Sequence, residues 1–593
     1  MPLSPHPILA QHFDSCEVAF AKIDQEVKIL QESIRALRAF RNTFTPICRI
    51  PPEVLTRIFS FARRLPGHDL YFGKTKNLDW IFLTHVSQHW RNVALGCPSL
   101  WSHISSDYPK PVVKEWLRRS KAAPLTVKLH NIKNAAFVGE SLSRIRELTV
   151  HISASSWDEL ASRLSSPAPL LEYLSVSTVR VNHRQPPSNI SNNMFEGNVP
   201  RLRRLKLTDC SIDINSSLLA DLTVLELCNP PQKLSVKDII ATLSRVSRLT
   251  SLKLSDVLEE GTPSVSSPLD VVTLPSLESI YVKGRSFIQD LDIVSHLSFP
   301  ETSTLQFYSV TETGTDVAIA FANFLNVLKA ARQQSSPSLQ TSAPLSHLAL
   351  ECSWHKLTLD ITVNSSEMGD TTDFLKLQLD ATGLWPRHLA IPDTSEIASL
   401  LPTLPISTLS SFSTDCDIGV ETWANVFGPL PSLYHISASG PLSVNILSAI
   451  INDFKALSEV VDRKHAEDQA KKSTKGKKKK GKGTRRGKGK KQAEVDSTPD
   501  SELVVDWDLI FPELGALDLH NATFPKSAED LVKALQTRKS VDKGIKLGIY
   551  GCKISEEMIE ALDEAVPSLM WDEETGTEAD KGYDSEFDDP YGW

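Results

Sequence analysis

Apolar residues return along this chain in two rhythms, one helical and one of short strands. Phe13, Cys16, Phe20, Ile23, Val27, Leu30, Ile34 and Leu37 alternate spacings of three and four over more than three heptads. Asp24, Gln25, Glu26, Lys28, Gln31, Glu32, Arg35 and Arg38 fill the intervening positions. That pattern predicts a coiled-coil or helical-hairpin stripe over 11–44. Homodimerisation through this helix is one expectation, and packing back on the chain's own body is the other.

Shorter helical patterns follow over 46–104. Pro51-Pro52-Glu53 marks a helix start, because Pro lacks only a donor that the first turn leaves unpaired, and Glu suits the positive N-terminal end. Val54, Leu55, Ile58, Phe59 and Ala62 then recur at helical spacing. A second helix is predicted to carry Phe82, Leu83, Val86, Trp90 and Val93 on one face, ending at Cys97-Pro98-Ser99. The stretch 63–80, with Pro66-Gly67, intrudes between the two.

Beyond a helix end at Trp116-Leu117-Arg118-Arg119 and a strand at Leu125–Leu129, the form L-x-x-L-x-L keeps returning. Copies are Ile145-Leu148-Val150, Leu171-Leu174-Val176, Leu202-Leu205-Leu207, Leu222-Leu225-Leu227, Leu249-Leu252-Leu254 and Leu277-Ile280-Val282, then Leu345-Leu348-Leu350, Phe374-Leu377-Leu379 and Leu514-Leu517-Leu519. Well-formed neighbours start 20 to 31 residues apart, which brackets a repeat length of about 20 to 29. One strand and its loop or helix cannot bury a face alone, so the expected solution is an irregular parallel solenoid with variable helices, an α/β fold. It should run over 105–463 and resume over 507–571, with Pro567–Trp571 as a terminal cap. The asparagine ladder of regular repeats is missing.

Charge changes this picture in two places. Thirteen Lys or Arg and no acid fall between Lys471 and Lys491, and removing them from the net charge of −8 leaves −21 for the rest. The stretch 464–506 offers nothing to bury and is expected to be a disordered basic insertion. The tail 572–593 holds nine acids against the single Lys581 and is expected to be mobile. Hydrophobic content of 41 % and charged content of 23 % are ordinary globular values. No apolar run is long enough to cross a bilayer and no leader pattern opens the chain, so the expected compartment is cytoplasm, nucleus or both. The eight cysteines are scattered without a Cys-x-x-Cys pair and read as reduced structural thiols.

Candidate chemistry is sparse. Gly476–Lys482 mimics a nucleotide-binding loop, but Gly483 stands where Ser or Thr is required. Lys477, Lys478, Lys479, Lys480, Arg485 and Arg486 suit a nuclear import signal or a non-specific phosphate-backbone contact. Aromatics for base stacking are absent from the run, so sequence-specific readout is not expected, and nucleic acid is not the expected partner. His85 and His89 stand four apart but have no third ligand, and no cofactor, metal or catalytic constellation is expected. Ser497 and Ser585 lie in acidic settings that would accept a regulatory phosphate.

Ile50-Pro51-Pro52-Glu53-Val54-Leu55, Val86-Ser87-Gln88-His89-Trp90-Arg91, Cys97-Pro98-Ser99-Leu100-Trp101 and Trp116–Leu125 together resemble the F-box-like proteins of mushroom-forming fungi, with irregular leucine-rich repeats behind. The resemblance implies a non-enzymatic adaptor: the F-box docks on a Skp-type adaptor of a cullin ubiquitin ligase, and the repeats present an unidentified protein substrate. Carried over by position, the docking residues would be Ile50, Pro51, Pro52, Leu55, Ile58, Phe59, Leu83, Val86 and Trp90. The alternative is a repeat scaffold, acting in the nucleus if the basic run serves import, in which the F-box-like segment is only a structural cap.

Overall fold

A computed structural model describes residues 7–13, 15–64, 79–132, 135–180, 187–259, 270–300, 302–311, 317–333, 345–353, 356–364, 371–381, 401–403, 406–441, 443–456, 458–459, 510–524 and 529–572. It is a mixed α/β structure with a large, mostly parallel sheet. The chain divides into two compact units, Met1–Gln232 and Lys233–Trp593. The basic insertion, most of 63–80, Ser497, Ser585 and the tail beyond Asp572 lie outside the described residues.

The first unit opens with helix α1 (Cys16–Thr43), whose N-cap Ser15 accepts a hydrogen bond from the Val18 amide. Helices α2 (Pro52–Arg64), α3 (Gln88–Gly96) and α4 (Lys110–Ser120) follow. The second helix expected from the sequence is broken: a 3-10 turn covers Asp79–His85, and α3 starts afresh behind Ser87. Ser87 explains the break, because its side chain accepts from the Trp90 amide and so satisfies a donor that a helix start leaves free.

Strands β1 (His103–Ser105), β2 (Leu125–Leu129), β3 (Ile145–Ser153) and β4 (Tyr173–Val179) pair in parallel. The short strands β5 (Ser188–Ile190) and β7 (Cys210–Ile212) form a ribbon of their own, while β6 (Arg204–Thr208) and β8 (Val224–Cys228) extend the main sheet. Register follows the leucines. One buried row runs Ile104, Val127, Leu148, Leu174, Leu205, Leu225, and a second runs Leu129, Val150, Val176, Leu207, Leu227. Slipping any strand by one residue would turn its leucines out of the core, so the spacing fixes the pairing.

The second unit contains β9 (Ser251–Ser255), β11 (Ser279–Lys283) and β13 (Thr304–Thr311) in parallel, with a side ribbon of β10 (Val272–Thr273) and β12 (Leu297–Ser298). Then the topology departs from a simple parallel repeat. Strands β14 (Leu345–Ser353), β15 (Lys356–Asn364) and β16 (Thr371–Ala381) form an antiparallel meander, with β16 beside β13 and β14 beside β17 (Ser411–Thr414). The copies at Leu345 and Phe374 are therefore not consecutive parallel repeats. Leu350 and Leu377 flank Leu359 of β15 and all three are buried, so the apolar row survives the reversal. Parallel order resumes through β18 (His435–Ser439), β19 (Ala516–His520), β20 (Lys546–Tyr550) and β21 (Leu569–Trp571).

Two local devices recur. The residue just after a strand takes a left-handed conformation at Asp209, Asn229, Asp256, Gly440, Asn521 and Gly551, and these are the residue types that tolerate it. Buried cysteines then hold successive strands: Cys210 Sγ donates to the Thr208 carbonyl, and Cys552 Sγ donates to those of Leu519 and Tyr550. Burial pushes the Cys210 thiol up to about 11 and raises Cys552, so both stay protonated donors. Buried arginines serve a similar end. Arg538 donates to the carbonyls of Ile510 (2.9 Å) and Phe511 (2.7 Å), and Arg332 donates to that of Ser303 (3.2 Å).

Candidate docking surfaces

The helical segment 46–104 sorts its residues into two sets. Leu55 and Phe59 point inward from α2, where the Phe59 ring meets Trp90 edge-on at 5.4 Å between centroids. Trp90 Nε1 donates to the Ile47 carbonyl at 3.3 Å, and His89 Nε2 lies 3.3 Å from the Ile50 carbonyl oxygen. Helix α3 thus fixes the stretch that leads into α2. Leu55, Phe59 and Trp90 are core, and could serve a partner only by shaping the surface above them.

Pro51, Pro52, Ile58 and Val86 are exposed, whereas Ile50 and Leu83 are half-buried. The outer set is larger than the residues proposed from the sequence. Val54, Ile58 and Phe61 form a second apolar stripe on α2, and Phe82 is 69 % exposed beside Val86 at 50 %. The signal was present in the spacing: 54, 58 and 61 are one helical face, and 55, 59 and 62 are another, roughly 100° away at 3.6 residues per turn. A helix with apolar residues on both faces needs a cover on each.

The same segment is fastened to the sheet by an aromatic cluster. Trp101 lies 5.1 Å from Trp80 and 5.6 Å from Trp116, and Tyr108 lies 5.1 Å from Trp116. The Arg119 guanidinium sits 4.4 Å over Trp101, whose Nε1 donates to the Ala94 carbonyl at 2.8 Å. These rings stand next to β1, the first strand of its sheet. Glu115, bridged by Arg118 and Arg119, is held at about 2, well below the usual carboxylate range.

Alternate residues of the strands form polar rows on the half-exposed sheet face. In the first unit, Arg204 lies 4.9 Å over the Tyr173 ring, and Lys206 pairs with Glu226. In the second, Lys253 lies 4.6 Å over Tyr281, which packs at 5.3 Å on Tyr308. The longest chain crosses three parallel strand pairs there. His347 Nδ1 is 3.1 Å and His435 Nδ1 is 3.3 Å from Ser411 Oγ, while His435 Nε2 is 2.9 Å from Asp518 Oδ2.

Burial pushes the His347 imidazole below its ordinary value, against the opposing pull of the Asp360 carboxylate, and His435 adds to the lowering. The order Asp518, His435, Ser411 has the composition of a nucleophile with its base and orienter. Ser411 is mid-sheet, with β14 and β18 on either side.

Among the described residues no group of three or more His, Cys, Asp or Glu is placed to hold a metal ion. His85 is exposed, and His89 is spent on the Ile50 carbonyl. Lys477, Lys478, Lys479, Lys480, Arg485 and Arg486 lie outside the described residues. No described helix is long and apolar enough to cross a membrane. Compared with known proteins, the chain matches no family model, and no curated protein matches it in sequence.

Proposed function

We propose that this chain is a non-enzymatic substrate receptor of a Skp-cullin-F-box ubiquitin ligase. Residues 46–104 would bind the adaptor, and the polar rows of an irregular leucine-rich-repeat sheet would bind the substrate protein. The observation that carries the reading is the division of α2. Its inner residues Leu55 and Phe59 are buried, with Phe59 against Trp90, yet Pro51, Pro52, Val54, Ile58 and Phe61 remain outside with Phe82 and Val86. Large apolar and aromatic anchors are what a desolvated interface centre requires. The repeat assignment is supported by Leu202-Leu205-Leu207 leading to Cys210, because Cys substitutes for Asn at that point of a leucine-rich repeat.

The test is capture of the purified chain on the cognate Skp adaptor, with Pro52→Ala/Ile58→Asp as the control. Both substituted residues are exposed, so the variant should keep its circular dichroism and lose binding. A folded wild-type chain that fails to bind overturns the reading.

A second reading rests on the Trp80, Trp101, Trp116 and Tyr108 cluster next to β1. Here the chain is a scaffold, and 46–104 seals the first strand against edge pairing. It predicts no adaptor binding, and unfolding of the repeats when 46–104 is deleted.

A further inference from the structure

Helix α1 is 28 residues long and buries none of them. Phe20, Ile23, Val27, Leu30, Ile34 and Leu37 are all exposed, from 38 % at Ile23 to 69 % at Leu37. The helix does approach the rest of its unit, but mostly with another side: Glu32, Arg35, Ala36, Arg38, Ala39 and Asn42 line a groove shared with Thr84 and Gln88, and of these only Arg38 borders the apolar stripe. On a helical grid of about 100° per residue, the centre of the apolar stripe and the centre of that groove face lie roughly 130° apart. The stripe therefore points away from the chain's own fold, and packing back on the body leaves it uncovered.

We propose that the stripe is covered by α1 of a second copy, as an antiparallel two-stranded coiled coil. The stripe fits itself. Phe20, Val27 and Ile34 occupy one heptad core position, and Ile23, Leu30 and Leu37 occupy the other. Head-to-tail alignment stacks Phe20 on Leu37 of the second copy, Val27 on Leu30, and Ile34 on Ile23.

Charge sets the direction. Glu17, Asp24 and Glu26 outnumber Lys22 and Lys28 in the first half of α1, whereas Arg35, Arg38 and Arg41 outnumber Glu32 in the second. Parallel helices would bring basic end to basic end and put Arg41 against Arg41 in the core. The antiparallel pair sets Glu17 beside Arg38 of the second copy at both ends, and flanking charges of this kind choose orientation.

The experiment is sedimentation velocity on the full chain in reducing buffer at micromolar concentration. The expected species has twice the mass of one chain. Val27→Asp/Leu30→Asp should sediment as a single chain, with an unfolding midpoint equal to that of the wild-type chain diluted until it is monomeric, since the stripe contributes nothing to the monomer. Orientation is read by mixing Phe20→Cys and Leu37→Cys chains of different tag length, both in a Cys16→Ser background, and oxidising. Cross-links between the two variants support the antiparallel pair. Cross-links of the Phe20→Cys chain with itself overturn it in favour of a parallel one. A wild-type chain that sediments singly throughout, or a Val27→Asp/Leu30→Asp chain that still dimerises, overturns the proposal.

Discussion

Helix α1 and the strand rows have comparable apolar content and opposite fates. Leu205 and Leu207 are buried on a strand paired on both sides, with Leu225 and Leu227 buried beside them, while Val27, Leu30 and Ile34 stand in the open. Periodicity announces that a face needs cover and says nothing about who provides it. A row repeated along one chain supplies its own neighbours, and a stripe that occurs once must borrow them.

The sharpest break in that comparison is a pair of truncations. Leu207→Ala should cost about 2–5 kcal/mol through lost burial and the cavity left behind. Leu30→Ser in the isolated monomer should stay within about 0.5 kcal/mol. Urea unfolding of both variants under dilute conditions checks this, and equal losses would mean that α1 is part of the monomer's core.

Next in size is Arg538→Met, which strands the carbonyls of Ile510 and Phe511 and should cost about 2–3 kcal/mol by the same assay. Asn521→Val then forces a β-branched residue to a φ of 54° and should cost about 1–2 kcal/mol, whereas Asn521→Gly should be close to neutral.

The smallest effect expected is a pH dependence at His347. Its folded-state pKa is depressed, so the unfolded chain binds the proton more readily. The stability it contributes is complete above the unfolded value of about 6.5 and is lost as pH falls below it. Thermal unfolding between about pH 7 and pH 5 should flatten in His347→Gln.

Much of the buried sheet was legible, because L-x-x-L-x-L states both which residues point inward and which register keeps them there. What failed was direction. Lys356-Leu-Thr-Leu-Asp-Ile-Thr-Val alternates as cleanly as its neighbours, but a period of two is the same for parallel and antiparallel strands. The left-handed turns were also present in the sequence, as Asp, Asn or Gly two places past the last inward residue in Leu205-x-Leu207-x-Asp209 and Leu517-x-Leu519-x-Asn521. They carry little signal by themselves, because Asp, Asn and Gly are common in turns of every kind. At the candidate site, helical spacing found the α2 residues without separating core from surface. His347, Ser411, His435 and Asp518 could not be assembled at all, since only the strand order brings them together.

Arg538 has one more consequence, for how this gene can change. The segment between Glu459 and Ile510 rejoins the fold at a point fastened three ways: Ile510 N–H to Asp453, Phe511 N–H to the Gly428 carbonyl, and both carbonyls to Arg538. A substitution at Ile510 or Phe511 leaves these main-chain bonds in place, whereas a substitution at Arg538 removes two of them at once, so selection falls on the arginine that holds the re-entry rather than on the residues it holds.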